Sequence, residues 1–372
     1  MYAKDREVLP VAAVYGANAS GKSNLLDGLK FMADAVRDSF AQWRPDGGVP
    51  RRPFKLHPAA KEQPSVFVAE FIEDGVRYTY GFEVDDERVL AEWLYSYPEK
   101  RKRVLFDRSG DSVKFGKAVI ADAVGKVTVL GGFLRSNALL LSLAAQSNVP
   151  SVLPVHHWFV EKLRFRLDAD ARGSEVELIG LMSEDGIPHH RIVDLLRAAD
   201  VGISGVRINP ERRQVHFSHG DEGELFRLDE ESAGTRSWLD LLPVVLPTLR
   251  DGGVLVIDEI DASLHSLLSA RLVALFNDPE SNPGNGQLVF TTHDATLLHP
   301  PLADEVLDRD EVWFVEKDEN GASTLYPLSD FKPRKEDNLE RRYLAGQYGA
   351  VPHVYEEHFA NAVRDGAVDG PA

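Results

Sequence analysis

The 372-residue chain contains no cysteine. That excludes disulfides and thiolate zinc sites, and it suits a reducing cytoplasm. Positive charge is also scarce: 42 Lys and Arg face 59 Asp and Glu, which leaves a net charge of −17. A surface uniformly attracted to nucleic acid is therefore excluded. Any contact with DNA or RNA would need a local basic patch or a partner that supplies one. No apolar run approaches the roughly 18 residues that span a bilayer, and no signal-peptide apolar region is expected at the start. Internal repeats, low-complexity tracts and sustained heptads are missing too. With 43% hydrophobic and 27% charged residues, what remains is ordinary for one large globular domain or two. These features read as a cytoplasmic protein with no membrane partner.

The chain is organised around Gly16-Ala17-Asn18-Ala19-Ser20-Gly21-Lys22-Ser23, followed by Asn24. It matches the phosphate-loop pattern G-x-x-x-x-G-K-[ST] at every position. Residues 10–15 ahead of it form an apolar stretch of strand length. Residues 24–31 behind it read as a helix with Leu25, Leu26 and Leu29 on its core face. Strand, glycine loop and helix are the context that makes such a motif a phosphate site. Backbone N–H groups and the positive end of the helix dipole would hold the phosphates of ATP. Lys22 would reach the β and γ phosphates, and the Ser23 hydroxyl would ligate Mg²⁺.

Past a Pro- and Gly-rich loop at 42–53, short alternating segments occur at 65–72, 76–84, 92–97 and 103–106. Turn signals at Glu73-Asp74-Gly75 and Asp85-Asp86-Glu87 make them an expected antiparallel meander. Lys100-Arg101-Lys102-Arg103 is the densest basic run. A solvated hairpin end is the preferred reading, with a nucleic-acid contact as the other. From 137 to 199 the pattern is helical, with helices expected at 138–146, 155–163 and 190–199. His156-His157 and His189-His190 fall here. Adjacent helix positions point about 100° apart, so neither pair makes a chelating face, and both read as structural or surface residues. A second meander is expected at 205–209, 214–219 and 224–228.

Glu231-Ser232-Ala233-Gly234-Thr235-Arg236-Ser237 opens a helix that continues through Leu242. Alone, Ser-x-Gly-Thr before a helix is a capped N-terminus. Its position before Gly253-Val254-Leu255-Val256-Ile257-Asp258-Glu259 gives it weight. That second segment reads as a buried strand with carboxylates at its C-terminal end, where ligands of parallel sheets bind. Asp258 is suited to hold Mg²⁺ through water, and Glu259 to polarise an attacking water. Asp261 lies in the loop before a helix at 264–276, and residues 287–294 form another apolar strand ending in His293. His293 is placed to hydrogen-bond the γ-phosphate. Glutamate directly after the metal-binding aspartate favours water over a kinase acceptor. A strand pair at 311–316 and 323–328 and a helical tail follow.

The order of these motifs resembles the ABC-type ATPase heads of the SMC, RecF and OLD (overcoming lysogenization defect) kind. Under that resemblance Ser232-Ala233-Gly234-Thr235 stands at the ABC signature, Asp261 in the D-loop and His293 at the switch. It implies an ATP-dependent homodimer paired head-to-tail, with Ser232 and Gly234 completing the partner's site in trans. Tyr15 to Asn24, Glu231 to Thr235, Val312-Trp313-Phe314-Val315-Glu316-Lys317 and the tail from Asn338 to Pro352 are similar to the AAA family ATPases of bacterial abortive-infection systems, the RloA/AbiLi-like group. That group implies a switch in anti-phage defence controlling a separate, nuclease-like effector. The alternative is a RecF-like DNA-binding ATPase of repair, its groove lined by Arg51-Arg52, Lys100 to Arg103 or Arg212-Arg213. Two departures stand out. Relatives carry a further strand or two, with a Phe-Arg-Ser-type segment, before the phosphate-loop strand, so a shortened start is expected. The Q-loop glutamine is not placed, Gln42 and Gln146 being the candidates.

The expected fold is α/β: a P-loop NTPase head with a mostly parallel sheet, plus an antiparallel β meander and an inserted helical lobe. Residues 1–30 and 205–330 form the head and 31–204 the insertion. Residues 331–372 form a C-terminal helical tail whose end reads as disordered.

Overall fold

The apolar, β-branched runs of the sequence resolve into three sheets. The computed structural model describes residues 8–123, 127–167, 175–183, 189–199, 202–209, 214–220, 224–262, 264–299 and 306–352. In chain order the strands are β1 (Val11–Tyr15), β2 (Ser65–Glu73), β3 (Val76–Val84), β4 (Val89–Tyr97), β5 (Arg103–Ser109), β6 (Ser112–Phe115) and β7 (Leu163–Arg166). Then follow β8 (Ile203–Asn209), β9 (Gln214–His219), β10 (Leu225–Arg227), β11 (Val254–Ile257), β12 (Gln287–Thr292), β13 (Val312–Lys317) and β14 (Ser323–Pro327). The largest sheet runs β14-β13-β1-β12-β11-β7. Every pairing in it is parallel except that of β13 with β14. Both faces are covered, as parallel sheets require. Leu255 and Ile257 of β11 enter one core and Val256 the other.

One core lies under the helix Ala233–Asp251, the helix Ser266–Asn277 and the three-stranded sheet β10-β9-β8. The other lies between the helix Lys22–Asp38 and the five-stranded antiparallel meander β2-β3-β4-β5-β6. There Phe31 of the helix meets Phe67 at 4.9 Å, and Phe71 stacks on Trp158 at 4.0 Å. An ion pair is sealed into this second core. Glu92 accepts from the amides of Leu140 (2.6 Å) and Leu141 (2.9 Å) and from the Tyr80 hydroxyl (3.0 Å). Arg108, 3.6 Å from Glu92, donates to the carbonyl of Ala138 at 2.6 Å. Both side chains are shut off from solvent. The pair joins the meander to the helix Leu140–Gln146.

Several expectations change in detail. The helical segment expected at 155–163 is a short helix, Leu153–His157, continued by a π-turn at Trp158–Lys162. At Leu163 the chain becomes extended, and β7 pairs in parallel with β11 as the edge of the large sheet. The first meander gains a fifth strand, β6. Leu26 is buried as expected, but Leu25 is 37% exposed, because the core stripe of that helix passes through Leu26, Met32, Ala33 and Val36 instead. The tail folds inward. Its helix Leu339–Leu344 places Tyr343 edge-on to Tyr15 (5.5 Å) and stacked on Phe314 (5.5 Å), while Tyr348 stacks on Phe314 from 5.7 Å. Residues 353–372 and Arg212-Arg213 lie outside the described residues.

Candidate nucleotide site

Parallel pairing puts the ends of β1, β11 and β12 on one edge. In register, Tyr15 faces Thr292 and Ile257 faces Phe290. The phosphate loop leaves β1, the Asp258-Glu259 pair leaves β11 and His293 leaves β12, so three motifs distant in sequence meet. Gly21 begins the helix Lys22–Asp38 at φ 104, a left-handed conformation open to glycine at little cost. The loop wraps over that N-terminus. Asn18, Ala19, Ser23 and Asn24 are exposed, whereas Gly16, Ser20 and Lys22 are buried and Ala17 and Gly21 half-buried. Lys22 Nζ donates to the carbonyls of Gly16 (2.9 Å) and Ala17 (3.2 Å). Burial pushes its pKa down, and the carboxylates of Glu259, Asp258 and Asp261 oppose that shift. The lysine and the three acids thus share one electrostatic neighbourhood.

The turn after β11 is fastened to β12. Asp258 Oδ1 accepts from the Thr291 hydroxyl, and the Asp258 amide donates to the Arg166 carbonyl at 2.8 Å. Glu259 sits at φ 50, and its amide donates to Thr291 Oγ1 at 2.8 Å. Its Oε1 lies 3.6 Å from His293 Nε2. Asp261 Oδ1 accepts from the Thr292 hydroxyl (2.6 Å) and from the His293 amide (3.3 Å). The Glu259 carboxylate and the His293 imidazole are thus neighbours at the strand ends, and both reach solvent.

Ser232, Gly234 and Thr235 lie elsewhere. Ser232 caps the helix Ala233–Asp251, its Oγ accepting from the Thr235 amide at 3.1 Å and lying 2.8 Å from Thr235 Oγ1. Ser232 and Ala233 are exposed, and Gly234 is half-buried. Among the described residues, no hydrogen bond joins Ser232, Gly234 or Thr235 to the phosphate loop. Ahead of the cap, the buried Glu231 carboxylate holds His219 Nε2 at 2.7 Å.

Oxygen ligands of the Ser23 and Asp258 type fit Mg²⁺, which takes one or two protein oxygens and fills its remaining positions with phosphate and water. Among the described residues no group of three or more His, Asp or Glu could hold a metal on its own.

Sequence reasoning overlooked four residues of this region. Thr291 and Thr292 fasten the acidic turn, and only the polar end of an apolar strand hinted at them. Lys317 Nζ donates to the Ala19 carbonyl at 2.5 Å, and Ser323 Oγ donates to the Ser20 carbonyl at 2.6 Å. These two belong to the β13–β14 hairpin, and no sequence signal connects that hairpin with the loop. Of the basic residues expected to line a groove, Arg51 is buried, with bonds to Asp86 (2.7 Å) and the Gln63 carbonyl (2.7 Å). Lys102 lies over the Tyr95 ring at 3.4 Å.

A glycine loop at a helix N-terminus, facing acids from the next strands of a parallel sheet, defines a phosphate-loop nucleotide-binding domain of the ATPase class. Residues 11–299 match the family described as "AAA domain, putative AbiEii toxin, Type IV TA system", and the chain belongs to it. Among solved structures, the SMC head domain from Thermotoga maritima is similar, at 14% identity. That match covers 85% of this chain and 89% of that chain, with a TM-score of 0.39. No curated protein matches the chain. Among the described residues, no helix is long and apolar enough to cross a membrane.

Proposed function

We propose that the chain is an ATP-hydrolysing switch whose two copies pair head-to-tail around ATP and Mg²⁺. Their closing and opening controls a separate effector, a nuclease in the anti-phage reading. One observation carries this. Lys22, Asp258, Glu259, Asp261 and His293 gather around one edge of the sheet, while at the capped helix N-terminus Ser232 is exposed, Gly234 is half-buried, and neither is bonded to the loop. A site of this composition is half complete, and a second copy's Ser232 and Gly234 supply the other half.

In this reading the loop amides and Lys22 bind the phosphates, and Ser23 and Asp258 hold Mg²⁺, which neutralises phosphate charge when bound. Glu259 accepts the proton of the attacking water, and His293 hydrogen-bonds the γ-phosphate. The family's description, which names a type IV TA system, supports a second component acting with this chain. The RecF-like alternative loses Arg51, which is consumed in the fold, but keeps the exposed Arg52 and Lys100 to Arg103.

Light scattering of Glu259→Gln with and without ATP and Mg²⁺ tests the proposal. The mass should double with ATP, and Ser232→Arg in the same chain should return it to the monomer. A mass unmoved by bound ATP would overturn the head-to-tail switch.

A further inference from the structure

Asp258 and Glu259 share one neighbour, the side chain of Thr291. Thr291 is completely buried near the end of β12. Its hydroxyl donates to Asp258 Oδ1, and the same oxygen accepts the Glu259 amide at 2.8 Å. Its carbonyl accepts the next amide, that of Ile260, at 3.0 Å. A hydroxyl has one proton to give. With that proton committed to Asp258, its lone pairs are left for Glu259, which fixes the direction of both bonds. The branched Cβ restricts χ1, so the oxygen is held in place rather than found by chance.

Glu259 depends on such a hold. Its φ of 50 lies in the left-handed region, which a side chain other than glycine adopts at a cost. Such residues persist where the surroundings over-determine them, and they cluster at functional sites. Here the Glu259 amide is held by Thr291 Oγ1, the following amide by the Thr291 carbonyl, and the Glu259 carbonyl accepts from Ala262 at 2.7 Å. The resulting turn brings Glu259 Oε1 within 3.6 Å of His293 Nε2.

We propose that Thr291 is a positioning residue for hydrolysis: its hydroxyl locks the left-handed turn that aims the Glu259 carboxylate and steadies Asp258 in the same stroke. The inference rests on Glu259 being the hydrolytic base.

The test compares Thr291→Val and Thr291→Ser in the full chain at saturating Mg²⁺, with Glu259→Gln measured in parallel. Valine keeps the shape but takes the acceptor from the part-buried Glu259 amide. Turnover should fall by roughly 10–100-fold, as for other residues that orient a ligand or base. ATP affinity should stay within about threefold of wild type, so the loss falls on kcat. Serine should restore most of the turnover. Thr291→Val combined with Glu259→Gln should be no slower than Glu259→Gln alone, because both changes remove one function. Wild-type turnover in the valine variant would overturn the inference, as would a serine variant as slow as valine. So would a valine variant that fails to fold, or that loses ATP affinity as steeply as turnover, since either makes Thr291 a residue of stability alone. Undiminished turnover in Glu259→Gln would instead remove the base itself, whatever Thr291 does.

Discussion

At Gly16 an added Cβ would lie 2.6 Å from Ser20 Oγ and 2.7 Å from the Val315 carbonyl oxygen. The serine can rotate, but the strand carbonyl cannot, so alanine must push the loop off the sheet. Gly16→Ala should therefore weaken ATP binding by about tenfold or more, with an unfolding midpoint lowered by only a few degrees. Titration calorimetry beside a thermal melt checks both. Glu92 makes the opposite case, far from nucleotide. Removing one partner of a buried ion pair leaves the other unpaired, so Glu92→Ala should cost about 3–5 kcal/mol in urea unfolding. The glycine was legible in the sequence, because its motif is local and its chemistry is fixed by spacing. Glu92 and Thr291 were not. Their partners lie across strands or in other elements, and pairing of that kind has no signature along the chain.

Among the elements, the apolar strands ending in acids or histidine were readable because a buried parallel strand needs a continuous apolar run. Strand β7 was not. Leu163-Arg164-Phe165-Arg166 is four residues long, abuts a helical turn, and carries arginines that an interior strand would exclude. Only its place at the sheet edge makes them tolerable. The tail shows a second limit. A helical tail was expected at 331–372, but nothing along the chain shows that Tyr343 and Tyr348 are 5% and 3% exposed, packed against Phe314 beside the phosphate-loop strand. Tyr343→Ala should lose about 3–5 kcal/mol of stability, as large-to-small aromatic changes do. Because Tyr343 touches Tyr15, the residue before Gly16, ATP affinity should fall with it. A Tyr343→Phe variant, keeping the ring, should retain both in the same denaturation and titration experiments.

For the whole molecule, the arrangement of the large sheet carries a consequence in time. The phosphate-loop strand is made long before its neighbours on both sides, β12 and β13. The bond from Lys317 to Ala19 closes a separation of 298 residues. At roughly 5–20 residues per second of synthesis, the first strand waits on the order of 15–60 seconds for the segments that bury it. Until then its apolar edge is exposed on the ribosome, and the loop lacks the hairpin that braces it. The edge that gathers the motifs is assembled only once β12 and the β13–β14 hairpin have followed β1 out of the ribosome.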